Sequence, residues 1–126
     1  LKVEDRVVFT GMVKEEEKAD LYRLADLYAM PSRGEGFGFV FLEAMACGIP
    51  VLASKTDGSR DAVRDGELGI LVDPDNQQEI RAGILKGLQA PRQIPDGLQY
   101  FAFPNFTQRL HKIINQVMHQ PMEKGI

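Results

Sequence analysis

Two carboxylates, Glu35 and Glu43, stand eight positions apart in the stretch PSRGEGFGFVFLEAMACGIP, residues 31–50, on either side of Gly36, Phe37 and Gly38. An ionised carboxylate only accepts hydrogen bonds, so the hydroxyl pairs of a sugar or a ribose are its natural partners. Gly36 and Gly38 let the backbone come close to a ligand. A helix opening at Phe39 would turn its first, unpaired N–H groups toward an anion. Glu43 would then lie about 6 Å along that helix at 1.5 Å per residue. Both carboxylates would repel a phosphate, so their task is to hold the groups around it. A ligand with a charged phosphate centre and a polyol on each side fits this arrangement, and a nucleoside diphosphate sugar has that layout. The glycines alone are a generic phosphate cradle. The final Gly of the dinucleotide fingerprint is absent, and no Gly-Lys-Ser/Thr follows as in a P-loop.

The elements that must position this segment form one repeating rhythm of short apolar runs and helix-like stretches. Strands are expected at 7–10, closed by Gly11, then at 27–30, 51–53 and 69–72. Helices are expected at 14–26, where Leu21, Leu24, Ala25 and Tyr28 recur at helical spacing, and at 39–46, with Gly48 placed to cap the second. Glu15, Glu16 and Glu17 suit the positive end of the first helix dipole. A short helix at 59–64 and a longer one at 77–88 follow, the latter opened by the turn and N-cap Asp73-Pro74-Asp75-Asn76. Residues 91–104 read as loop, and Pro104 at the first helical position starts a peripheral helix over 104–120. Apolar runs without polar alternation, separated by helices, are parallel strands buried on both faces. The fold class is therefore α/β, a Rossmann-like parallel sheet with flanking helices, in a single partial domain spanning 1–126. Four strands are few for that class, which usually has six. With no initiator Met and an apolar run from Val7, the chain is expected to be cut from a longer one at its front.

The chain has 126 residues, 44% of them hydrophobic and 26% charged, which is the mix of an ordinary globular domain. Its 15 Lys+Arg against 18 Asp+Glu give a net charge of -3, which argues against a nucleic-acid partner. No apolar run reaches the roughly 20 residues that span a bilayer. A single Cys, Cys47, fits a reducing compartment and hence a cytoplasmic location. Cys47 itself reads as a small buried hydrophobe. Two His and one Cys are too few for a zinc cage of about four ligands, and no metal is expected. His111 and His119 read as surface residues, and Phe101, Phe103 and Phe106 as packing for the last helix.

Taken together, Glu35-Gly36-Phe37-Gly38 and Glu43-Ala44-Met45-Ala46-Cys47-Gly48-Ile49-Pro50-Val51 resemble the E-x7-E signature of retaining GT-B glycosyltransferases of the group 1, or family 4, type. The flanks agree: Val8-Phe9-Thr10-Gly11, Leu24-Ala25-Asp26 before Tyr28-Ala29-Met30-Pro31-Ser32, and Asp65-Gly66 with Gly69-Ile70-Leu71-Val72-Asp73-Pro74. The resemblance runs from about Arg6 to Leu88. It implies that the chain is the donor half of a GT-B fold and that its co-substrate is a nucleotide-diphosphate sugar, with no cofactor and no metal. It implies that Glu35 is the catalytic carboxylate, contacting donor-sugar hydroxyls beside an oxocarbenium-like transition state. It gives Glu43 the ribose hydroxyls, the backbone of Gly36, Phe37, Gly38 and Phe39 the transferring sugar and diphosphate, and Val13 a place near the nucleobase.

Two departures stand against the pattern. Asp57 takes the place of the first of two family glycines, and Asp61 stands where a Glu is usual. The family's Arg and Lys, which neutralise the leaving diphosphate, belong to a segment ahead of residue 1, as does its acceptor-binding domain. Such compensation is a large part of electrostatic catalysis, so the chain alone is expected to be inactive. Any peripheral membrane contact is expected on that other domain. The strand at 7–10 would either re-pair with that at 27–30 or form an exposed edge that invites dimerisation. Alternatives of the same fold are a non-catalytic nucleotide or sugar-phosphate binding module and a nucleotide-sugar epimerase. The base, sugar, acceptor and linkage are not encoded in these motifs.

Overall fold

The computed structural model describes residues 2–119. Its helices are α1 (Glu15–Leu24), α2 (Phe39–Ala46), α3 (Ser59–Ala62), α4 (Gln77–Gln89) and α5 (Phe103–His119). Its strands are β1 (Tyr28–Ala29), β2 (Val51–Ser54) and β3 (Ile70–Val72). Single 3-10 turns lie at Glu4–Arg6 and Arg64–Gly66, and a longer one at Asp96–Phe101. The chain divides between Pro95 and Asp96 into two compact units.

The first unit holds the sheet, ordered β1-β2-β3 and parallel throughout. Tyr28 pairs with Val51 and Ala29 with Leu52; Leu52 then pairs with Ile70, and Ser54 with Val72. Every residue of β2 is buried, because α2, α3 and α4 all pack against it. That explains the unbroken apolar run: a strand covered on both faces has no solvent side to alternate with. The core is Phe41, Ala44 and Met45 from α2, Ile49 to Ala53 around β2 without Pro50, and Ala62, Val63 and Val72.

The helix ends follow from local chemistry. Glu15, Glu16 and Glu17 occupy the first turn of α1, where the dipole favours negative charge. The Asn76 side chain accepts the N–H groups of Gln78 and Glu79, both at 3.1 Å, and so caps α4. After α2, Gly48 adopts φ +77°, its N–H reaches the Met45 carbonyl at 2.9 Å, and the Ile49 N–H reaches that of Ala44 at 3.0 Å. This is a Schellman closure, and it turns the chain directly into β2.

The structure corrects the expectation at 7–10. These residues belong to no strand among the described residues, so the sheet has three strands, not four. They do not pair with β1, whose neighbour is β2. Val8 and Phe9 are 84% and 93% exposed. An apolar run becomes a buried strand only when neighbours supply ladder hydrogen bonds and cover its faces, and here neither is supplied. The edge strand on which the dimerisation expectation stood is therefore absent.

The second unit contains the 3-10 turn Asp96–Phe101, inside the stretch expected to be loop, and α5. Helix α5 opens at Phe103, with Pro104 in its first turn, and is described to His119; the expected last position, 120, lies outside the described residues. Phe103 and Phe106 are 77% and 51% exposed, and Phe101 is half-buried with its ring edge-on to Tyr100 at 5.1 Å. His111 and His119 are exposed, as surface residues.

Candidate functional site

The loop between β1 and α2 carries the glycine-rich stretch, at the carboxyl end of β1, where open α/β sheets bind ligands. Gly38 ends it in the left-handed region, φ +84°. A Cβ there would come within 2.6 Å of the Phe41 ring and 3.1 Å of the Glu35 side chain, so only glycine fits. The next residue starts α2, whose first turn carries no acidic residue and no side-chain cap. The Phe41 N–H is taken by the Gly38 carbonyl at 3.0 Å, and with no side-chain cap the start of the helix suits an anion. Gly36 and Phe39 are exposed, Gly38 is buried and Phe37 is half-buried, with the Phe37 and Phe39 rings 5.2 Å apart.

Glu35 is held by its main chain. Its N–H donates to Asp57 Oδ2 at 3.1 Å, and its carbonyl accepts the Gly58 N–H at 2.9 Å. The Glu35 carboxylate turns back over the loop, where Oε1 receives the Phe37 N–H at 3.4 Å. Carboxylate and loop amides are thereby brought within one short turn.

Glu43, one turn into α2, is the lone charge on an otherwise apolar helix. Helix α1 supplies its partners: the Tyr22 hydroxyl donates to Oε2 at 3.0 Å, and Lys18 Nζ lies 3.6 Å from Oε1. Lys18 also pairs with Glu15 at 2.7 Å, and its ammonium is held above the usual lysine range first by that hydrogen bond and then by the two carboxylates. Burial, then the hydrogen bond to Glu43 and its charge, push the Tyr22 phenol far up. A carboxylate has about four acceptor positions, so Glu43 keeps lone pairs for a ligand after both contacts.

Tyr28, on β1, feels the charge of both carboxylates. Burial raises its phenol first, and the charges of Glu35 and then Glu43 raise it further. Its ring is edge-on to Tyr22 at 5.6 Å and to Phe41 at 5.5 Å. Glu43 thus joins the aromatic cluster of Tyr22, Tyr28 and Phe41 through its bond to Tyr22, and Glu35 lies against Gly38 at the start of α2. Val13 lines an open cavity of about 400 Å³ with Thr10, Met12, Glu17, Asp20, Leu21 and Leu24, which neither Glu35 nor Glu43 lines.

Sequence reasoning missed Lys18 and Tyr22 as partners of Glu43. Their i, i+4 spacing puts them on one face of α1, which was the available signal. It also missed the hydrogen-bonded set Ser32, Asp57 and Ser59, of which Asp57 was visible only as a departure from a family glycine. Among the described residues no three His, Cys, Asp or Glu side chains come together as metal ligands. No described helix is long and apolar enough to cross a membrane.

Comparison with known proteins gives the family. The family described as glycosyl transferases group 1 matches residues 1–102. The D-inositol 3-phosphate glycosyltransferase of Thermobispora bispora is 40% identical over 94 residues, which are 75% of this chain and 22% of that protein. The GDP-mannose-dependent alpha-(1-6)-phosphatidylinositol monomannoside mannosyltransferase of Mycolicibacterium smegmatis is 38% identical over 100 residues, 74% of this chain and 26% of that one. Among solved structures, Anabaena HepE in complex with UDP and glucose aligns with a TM-score of 0.68 at 30% identity, over 90% of this chain and 33% of its own. The chain therefore spans a third or less of these proteins.

Proposed function

The chain belongs to the group 1 glycosyl transferases, and from that premise we propose that it is the donor-binding part of an enzyme that moves a glycosyl group from a nucleoside diphosphate sugar with retention at the anomeric carbon. The observation that carries this reading is that Glu43, hydrogen-bonded to Tyr22, and Glu35, folded back beside Gly38, flank the start of α2. Glu43, oriented by Tyr22 and Lys18, accepts the ribose hydroxyls. The amides of Phe37, Gly38 and Phe39 meet the diphosphate and the transferring sugar. Glu35 accepts donor-sugar hydroxyls and lends negative charge to an oxocarbenium-like transition state.

Relatives support the co-substrate class. HepE is a protein seen with UDP and glucose, and the Mycolicibacterium relative is named for GDP-mannose. Val13 is the residue we assign beside the base. Lys18 pairs with Glu15 and Glu43, and we assign the positive charge for the leaving diphosphate to another part of the parent enzyme. This chain by itself is then expected to bind donor without transferring sugar.

The test is calorimetric titration of this chain with UDP, GDP and ADP and their glucose and mannose conjugates, beside Glu43→Ala. One nucleotide is expected to bind, and the substitution to weaken it by about tenfold or more. Equal binding by the wild type and Glu43→Ala overturns the assignment of the ribose site. Binding to none of these ligands by the chain and by the parent enzyme overturns the whole reading.

A further inference from the structure

We propose that Asp57 is a positioning residue whose carboxylate sets the loop that carries Glu35. The inference rests on the donor-site reading for its consequence, because Glu35 is the group given to the transferring sugar. Both carboxylate oxygens are used twice. Oδ2 accepts the Ser32 hydroxyl at 2.5 Å and the Glu35 N–H at 3.1 Å. Oδ1 accepts the Ser59 hydroxyl at 2.5 Å and the Ser59 N–H at 3.0 Å. The two donors on Oδ2 come from the loop after β1, and the two on Oδ1 from the start of α3. One side chain therefore joins the loop to the turn that follows β2.

The neighbouring backbone completes the clamp. The Gly58 N–H donates to the Glu35 carbonyl at 2.9 Å, so Asp57 and Gly58 hold both main-chain polar groups of Glu35. The approach is close: a Cβ on Gly58 would lie 1.9 Å from the Gly36 carbonyl oxygen. The Ser59 hydroxyl extends the network to the core by accepting the Ser54 N–H at 3.1 Å, and both serines are fully buried. The loop is thus tied through Asp57 to the end of the central strand.

Only a carboxylate meets this set. All four donors face it, and an ionised carboxylate is acceptor-only with about four lone-pair sites. An amide at this position would turn its NH2 group toward one of the two donor pairs. A glycine, usual in the family this chain resembles, would offer the four donors nothing. Asp57 therefore does more than fill a turn: it makes the orientation of Glu35 depend on a charge about which the loop folds.

The experiment uses the full chain with Asp57→Ala and Asp57→Asn, measured by amide hydrogen exchange and by titration with UDP-glucose and GDP-mannose beside UDP and GDP. In Asp57→Ala the Glu35 and Gly58 amides are expected to exchange about tenfold faster or more, while amides in α4 keep their wild-type protection. Asp57→Asn, which retains one acceptor oxygen, is expected to fall between. Affinity for the nucleotide sugar is expected to drop about tenfold with that for the matching diphosphate within about twofold, as in Glu35→Ala. Wild-type protection of the Glu35 amide in Asp57→Ala overturns the clamp. Loosened amides with equal losses for sugar conjugate and diphosphate overturn the positioning role. If the wild type binds none of the four ligands, the donor-site reading has failed for this chain, and the amide arm alone decides whether Asp57 sets the loop.

Discussion

The Tyr22 hydroxyl of α1 donates a 3.0 Å hydrogen bond to Glu43 of α2. It fixes the orientation of a carboxylate that stands alone on an apolar helix, and its ring packs edge-on to Tyr28. Tyr22→Phe keeps the ring and removes the donor. It is expected to lower stability by about 1 kcal/mol, the usual net contribution of such a bond. Nucleoside diphosphate affinity is expected to fall by about fivefold, because Glu43 then samples orientations that miss the ribose. Urea unfolding and calorimetry on the same variant check the two effects separately.

Glycine at 38 is required by both backbone and packing. The residue sits at φ +84°, and a Cβ would press on the Phe41 ring at 2.6 Å. A left-handed conformation costs a non-glycine residue about 1–2 kcal/mol, and overpacking a fully buried ring adds about 1–3 kcal/mol. Gly38→Ala is therefore expected to destabilise by about 2–5 kcal/mol in urea unfolding. Gly34 lies in the same loop, but a Cβ there meets nothing within 4 Å. Gly34→Ala is the matched control and should stay within about 0.5 kcal/mol of wild type.

Much of this is legible in the sequence. The apolar runs around Tyr28, Val51 and Ile70 read as parallel strands because burial on both faces leaves a run without alternation. Phe39 to Ala46 read as a helix with its bounds, since Gly38 and Gly48 punctuate both ends. What failed was Val7 to Thr10, where an apolar run states a preference for burial but not the partner that would satisfy it. At the site, Glu35 and Glu43 were readable as a spaced pair. Their holders were not: Tyr22 and Asp57 lie 21 and 22 positions from the groups they bind, and no local period links them.

The exposure of Phe9 makes a direct check. A side chain 93% exposed in a segment outside the sheet contributes little to folding. Phe9→Ser is expected to change the urea midpoint by the equivalent of about 0.5 kcal/mol or less. A loss of several kcal/mol would mean that residues 7–10 form a packed strand in solution. Phe41→Ala sets the scale for such a strand, since Phe41 is fully buried against Tyr28, and its loss should cost about 3–5 kcal/mol.

Acid should release the Glu35 loop through Asp57. Burial opposes ionisation of this carboxyl, but the hydrogen bonds from the Ser32 and Ser59 hydroxyls and from the Glu35 and Ser59 amides outweigh it and hold the group below the usual carboxylate range. A carboxyl lowered on folding stabilises the native state fully above its unfolded value of about 3.9, and that stabilisation is lost as pH falls through the lower folded value. The wild type should therefore exceed Asp57→Asn in stability near neutral pH, and the gap should close on acidification below about pH 4. Unfolding midpoints of both proteins between about pH 2.5 and 7 measure that gap. A constant difference across the range would mean that the Asp57 charge contributes nothing to the loop. The Glu35 amide reports the same event locally: its chemical shift should titrate in the wild type with a midpoint below the usual carboxylate range and lose that titration in Asp57→Asn.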